Sequence, residues 1–203
     1  PPVSQPFIKL LFAGRVKAEK GVHLAVQALS HLNGEYVDRL ERSVHLDIIG
    51  SGELDYIRYL ERLVNSLGLE QSVRFCGQVP RDELMEMYSG YDVVLIPGIW
   101  VEPFGRVTIE AMARGVCVIA SDRGGPAEII THGRDGLLVR PDDPQALAEA
   151  VVSVVGDSDL RERLRQEAIA TVREHYSLDR VVDRIESYLA EVVAQHSSAP
   201  EEG

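Results

Sequence analysis

Positive charge is scarce in this chain, cysteine is nearly absent, and no apolar run is long. Lys and Arg number 21 against 32 Asp and Glu, which leaves a net charge of -11. Without a basic cluster, that balance excludes a nucleic-acid-binding surface, and any phosphate site must be a local basic pocket in an acidic field. The two cysteines, Cys76 and Cys117, lie in apolar strand-like runs without metal-ligand spacing. They are expected as buried free thiols in a reducing compartment rather than as a disulfide. The six histidines form no i, i+4 pair, and no metal site is expected. No run is apolar enough to span a bilayer and no leader pattern opens the sequence, so a soluble, cytoplasmic protein is expected. Nucleotide fingerprints of the common kinds are missing too, since neither G-x-G-x-x-G nor G-x4-G-K-[ST] occurs.

What is present is a globular composition, 45% hydrophobic over 203 residues, sufficient for one domain with a sizeable core. Short, mostly β-branched runs at 8–13, 46–49, 73–76, 93–96, 116–120 and 137–139 are separated for the most part by helical patterns. That alternation predicts an α/β fold with a doubly wound parallel sheet of about six strands. Beyond residue 139 only helices are predicted, at 144–155, 160–175 and 178–195, the last with Ser177 as N-cap. This last helix carries a broad apolar stripe of Val181, Val182, Ile185, Leu189, Val192 and Val193, which must pack on something. Residues 1–6 read as an extended arm, 7–195 as one domain, and 196–203 as a disordered acidic tail.

Ligands on such sheets bind beyond the carboxyl ends of the strands, so the loops there carry the search. The richest is Val101-Glu102-Pro103-Phe104-Gly105-Arg106-Val107-Thr108-Ile109-Glu110-Ala111-Met112-Ala113-Arg114-Gly115, which follows the apolar run at 93–96. A helix is predicted from Phe104 onward, closed by Gly115. Its first amides have no internal partner and sit at the positive end of the helix dipole, so an anion placed there is stabilised. Gly105 is expected to be glycine so that no Cβ blocks that anion. Glu102 and Glu110 bracket the spot, and ionised carboxylates accept hydrogen bonds from sugar hydroxyls. A phosphate with sugars on both sides, a nucleotide sugar, fits that arrangement. The plain alternative is a buried helix with a solvated acid at each end.

The whole stretch, with Pro-Phe-Gly after the first acid and Glu-Ala-Met-Ala around the second, resembles the E-x7-E signature of retaining GT-B glycosyltransferases. These are the family-four and glycogen-synthase-like enzymes. Gly14-Arg15 and Lys20-Gly21 after the first run resemble that family's donor-diphosphate loop, with Arg15 offering a planar fork and Lys20 a point charge. A basic pair at a helix start is otherwise unfavourable. Gly50-Ser51-Gly52-Glu53 resembles the family's Gly-x-Gly loop, and 73–80 the segment whose backbone meets the nucleotide base, which brings in Val79. Arg74 either lies near the base or caps its strand. Asp122-Arg123-Gly124-Gly125-Pro126-Ala127-Glu128 resembles the Gly-Gly-x-Pro-Glu segment with the proline one place early. Glu128 there is as well read as a helix cap. Asp157-Ser158-Asp159, Asp142 and Asp143 precede helices and read as caps rather than metal ligands, and His132 as a surface residue.

The resemblance implies a Rossmann-like half of a GT-B fold that binds the donor, a nucleoside-diphosphate sugar with UDP or GDP favoured, without a metal or other cofactor. It assigns catalysis to Glu102, Arg15 and Lys20. Donor binding falls to those three with Gly14, Gly52, Arg74, Val79, Phe104, Gly105, Arg106, Val107 and Glu110. It implies a hexosyl transferase whose other, N-terminal acceptor half is missing here, so that this chain alone would bind without transferring. Any membrane association would come through that half or the acceptor. A nucleotide-sugar-binding module without catalysis and a nucleotide-sugar epimerase of similar architecture are the alternatives.

Overall fold

The computed structural model describes residues 7–197, with side chains as far as Val193. The proposed arm at 1–6 and all but the first two residues of the proposed tail lie outside that range. Six strands are found: β1 (Phe7–Ala13), β2 (Ser43–Ile49), β3 (Val73–Gly77), β4 (Val93–Ile96), β5 (Cys117–Ser121) and β6 (Leu137–Val139). They form one wholly parallel sheet in the order β3-β2-β1-β4-β5-β6. The expected doubly wound sheet is therefore present. Strand order reverses between β1 and β4, where consecutive register pairs are Leu10 with Val93 and Leu11 with Val94.

Each strand alternates its side chains between two cores, as the pleat requires. Leu10 and Phe12 of β1, Leu46 and Ile48 of β2 and Ile119 of β5 face one core. That layer is closed by α1 (Val22–Gly34), α3 (Leu54–Ser66) and α7 (Pro144–Gly156). Leu11, Val94 and Val118 face the other, which is closed by α4 (Arg81–Met87), α5 (Arg106–Ala113), α6 (Gly125–Ile129) and α8 (Ser158–His175). A short helix, α2 (Val37–Leu40), lies between α1 and β2. The predicted caps at 143 and 157 form: Asp143 accepts from Ala146 N at 2.9 Å, and Asp157 from Asp159 N and Leu160 N at 3.0 and 2.9 Å.

The final helix, α9 (Leu178–Ser197), starts after Ser177 as expected and includes residues 196 and 197, which the sequence reading gave to a tail. Of its apolar stripe, Val181, Val182, Ile185, Leu189 and Val193 are exposed and Val192 is half-buried. Cys117 is buried, but Cys76 is only half-buried, contrary to expectation, because β3 is an edge strand with one flank open. Among the described residues no helix is long and apolar enough to cross a membrane.

Candidate functional site

At the reversal point the loops after β1 and β4 part around a crevice, the place where open α/β sheets take their ligands. Backbone hydrogen bonds stitch the loops after β1, β2 and β3 together: Gly14 N donates to Ile49 O at 2.9 Å, Val16 N to Ser51 O at 2.8 Å, and Gly50 N to Gly77 O at 2.8 Å. The crevice has two adjoining compartments that share Gly14, Arg15, Arg106 and Val107. One, of about 350 Å³, adds Lys20, Glu102, Phe104 and Gly105; the other, of about 340 Å³, adds Ser51, Val79, Arg81 and Glu110. Ten of the twelve donor residues expected from the sequence thus line one continuous cleft.

The remaining two do not line it. Arg74 points elsewhere: its Nε and Nη2 hold Asp47 at 2.9 and 2.5 Å, and Tyr91 Oη donates to the same carboxylate at 2.7 Å. It belongs to a separate pocket with Lys9 and His45, since alternation along β3 aims residue 74 at the sheet face beside Asp47 of β2. Gly52 sits against the β1 loop, where a Cβ would lie 1.9 Å from Val16 O, so a glycine is needed there for loop packing.

At the heart of the site Lys20 Nζ donates to Glu102 Oε2. Burial, with the positive charge of Arg15 second, lowers the Lys20 pKa, while Glu19 opposes the shift. Lys20 ends a 3-10 turn (Ala18–Lys20), and Gly21 caps α1 after it. The cation therefore precedes the helix instead of occupying its first turn, which removes the dipole conflict expected from the sequence.

Helix α5 begins two residues later than predicted, at Arg106, because Gly105 takes a left-handed φ of +77° as its N-cap. A Cβ at 105 would also meet Pro126 at 3.1 Å. Glycine here is thus explained by the backbone and by Pro126. Glu110, only 7% exposed, receives Arg81 Nε at 3.1 Å, with Arg106 Nε 3.5 Å away. Arg81 was not anticipated, because its partner lies 29 residues on and nothing local marks it.

The Gly124-Gly125 pair buttresses the loop of Glu102. Gly125 N donates to Glu102 O at 2.6 Å. A Cβ on Gly124 would stand 2.7 Å from Glu102 N, and one on Gly125 2.4 Å from Phe104 C. Only glycines allow so close a backbone approach. Glu128 is exposed on α6, and His132 accepts from Leu138 N at 3.0 Å through Nδ1, a structural bond. Among the described residues, no three His, Cys, Asp or Glu side chains group as a metal site would need.

Chemically, this is a cleft with a cationic pair, helix-start amides and one carboxylate at either end, suited to an anion flanked by hydroxyls. Comparison with known proteins identifies the family. The family described as Glycosyl transferases group 1 matches residues 3–171. An uncharacterized glycosyltransferase of Methanocaldococcus jannaschii, MJ1607, is 39% identical over 173 residues, 85% of this chain and 42% of that protein. The crystal structure of Anabaena Alr3699/HepE in complex with UDP-glucose superposes with a TM-score of 0.82 at 26% identity, covering 91% of this chain and 49% of that one. The C-terminal domain of a glycosyl transferase group 1 family protein, LpcC from Francisella tularensis, superposes with a TM-score of 0.72 at 26% identity. There the match covers 84% of this chain and 87% of that domain. The chain spans less than half the length of the curated relatives it matches. With the fold, the cleft and the match in agreement, the chain belongs to the group 1 glycosyltransferase family and corresponds in size to a C-terminal domain of its GT-B enzymes.

Proposed function

We propose that this chain is the donor-binding half of a retaining glycosyltransferase that moves a hexosyl group from a nucleoside-diphosphate sugar, UDP or GDP favoured, to an acceptor. The observation that carries this reading is that Arg15, Lys20, Glu102 and the start of α5 meet in one cleft at the point of strand reversal. In this reading the nucleoside lies in the compartment of Val79 and Glu110. The main chain near Val79 meets the base and the Glu110 carboxylate accepts from the ribose hydroxyls. The diphosphate lies against the amides of Phe104, Gly105, Arg106 and Val107, with Gly14 leaving room for it.

As the bond from the anomeric carbon to the diphosphate breaks, negative charge collects on the phosphate oxygens. Arg15, Lys20 and the α5 amides are already placed for that charge, so they stabilise the transition state more than the ground state. Glu102, released from Lys20 when the phosphate takes that lysine, holds the sugar and opposes the positive charge at its anomeric carbon. Two cations and a helix start supply the charge a divalent metal would otherwise bring, so transfer proceeds without one and no cofactor is needed.

The relatives' greater length and the exposed stripe of α9 support a second, N-terminal half that carries the acceptor site and covers Val181, Ile185 and Leu189. Alone, this chain binds donor and does not transfer. It works in the cytoplasm, with any membrane contact made by the other half or by the acceptor. The test is to join this chain to its acceptor half and assay transfer from UDP-, GDP- and ADP-sugars with a chelator present. Turnover with retained anomeric configuration, lost in Glu102→Gln, is expected. Turnover by the isolated chain, or a requirement for metal, would refute the corresponding part.

A further inference from the structure

Past the Lys20–Glu102 pair the cleft continues into a small hollow of about 30 Å³, bounded by those two residues, Trp100 and Arg123. Three compartments are therefore linked in succession through shared residues: that of Glu110 and Val79, then that of Arg15 and the start of α5, then that of Trp100. A nucleotide sugar also has three segments in succession. With the nucleoside at the first and the diphosphate at the second, the sugar ring, too large for the hollow itself, falls at its mouth beside Trp100.

Trp100 is 64% exposed, and Val101 and Phe104 on the same loop are 59% and 58% exposed. Single apolar residues at a surface need no explanation, but here three flank Glu102 within one loop, and Trp100 and Phe104 each line a compartment that also holds Glu102. The main chain beneath them is held firmly. Ile99 N and Trp100 N both donate to Glu19 O, at 3.0 and 3.3 Å, and Arg123 Nη1 donates to Ile99 O at 2.5 Å. The loop is thus anchored to its neighbours on both sides while the indole is left in water. The main chain that carries the indole is therefore set before any ligand arrives.

We propose that Trp100 is a specificity-determining residue, its indole forming the wall against which the transferred sugar ring of the donor lies. This rests on the donor-site reading above. A hexose ring has one face of C–H bonds and a rim of hydroxyls. The π-face of Trp100 takes the first and the Glu102 carboxylate the second, so ring and rim are read by adjacent residues. Sugars whose axial hydroxyls interrupt the C–H face are discriminated against.

Trp100 is the single tryptophan of the chain, so its fluorescence reports this spot alone. The experiment titrates the protein with UDP-, GDP- and ADP-glucose beside the matching diphosphates, and repeats the binding by calorimetry for Trp100→Ala and Trp100→Phe. The sugar-bearing form of whichever nucleotide binds should alter the emission more than its diphosphate. Trp100→Ala should lower the preference for the sugar-bearing form over the diphosphate roughly five- to tenfold, with Trp100→Phe between it and wild type. If nucleotides bind but emission does not separate the two forms and the preference survives in Trp100→Ala, the role of Trp100 is refuted and the donor site stands. If no diphosphate or sugar form binds at all, the donor reading fails and takes this inference with it.

Discussion

Replacing Gly125 by Ala tests whether the loop of Glu102 is held in place by its neighbour's lack of a side chain. The added Cβ would stand 2.4 Å from Phe104 C and 2.5 Å from Phe104 O, where ordinary contact begins near 3.4 Å. Both atoms are main chain, so the loop must retreat by about 1 Å. Overpacking of this kind costs about 1–3 kcal/mol. For a domain of this size each kcal/mol moves the melting temperature by about 2–4 °C, so a fall of roughly 2–12 °C is expected. Phe104 precedes the N-cap of α5, so the same displacement carries the diphosphate amides out of position. Donor affinity should fall as well, although residue 125 touches no donor in this reading. Gly156→Ala is the control: nothing lies within 4 Å of its added Cβ, and it should be neutral or stabilising by about 0.5 kcal/mol. Thermal melting and calorimetry on both variants provide the comparison. A Gly125→Ala protein that melts and binds as wild type does would refute the buttress.

Three further outcomes are expected. Glu110→Gln should weaken a ribonucleotide roughly tenfold, through loss of charge-assisted bonds to the ribose, and should scarcely affect the 2′,3′-dideoxy analogue; equal losses for both would remove the ribose role. Lys20 has its pKa lowered chiefly by burial, and a bound diphosphate favours its charged form. Donor affinity should therefore be full at pH values below that lowered pKa and decline as pH rises through it, and a Lys20→Ala protein should lose that alkaline step. Burial pushes the Cys117 thiol up to about 11, whereas Cys76 is half-buried at the sheet edge. Iodoacetamide should modify Cys76 first in the folded protein, and both equally once it is unfolded; mass spectrometry after digestion decides it.

All six strands were readable because each is a short, largely apolar run, and in this fold the central runs β1, β4 and β5 are buried on both faces while the edge strand β3 is not. β2 starts at Ser43, three residues before its predicted run, because buried Val44 and Leu46 alternate there with the polar Ser43, His45 and Asp47. The gathering of Arg15, Lys20, Glu102 and Glu110 at one cleft was legible in the same way, since each lies in a loop that follows a strand or in the helix behind it. Arg74 was misplaced because only strand pairing decides which sheet face a residue joins, and Asp47 of β2 claims it. Arg81 on Glu110 and the glycine pair under Glu102 were not legible as such. The first is a contact between distant helices, and the second is an approach of main chain to main chain that no side chain announces.

The most direct measurement is a calorimetric titration of this chain with UDP, GDP and ADP, repeated on Arg15→Ala and Lys20→Ala. At least one diphosphate should bind the wild-type protein, and both variants should bind it markedly less. A chain that binds none of the three, or binds one equally well without Arg15 and Lys20, would contradict the assignment of this cleft to a sugar nucleotide.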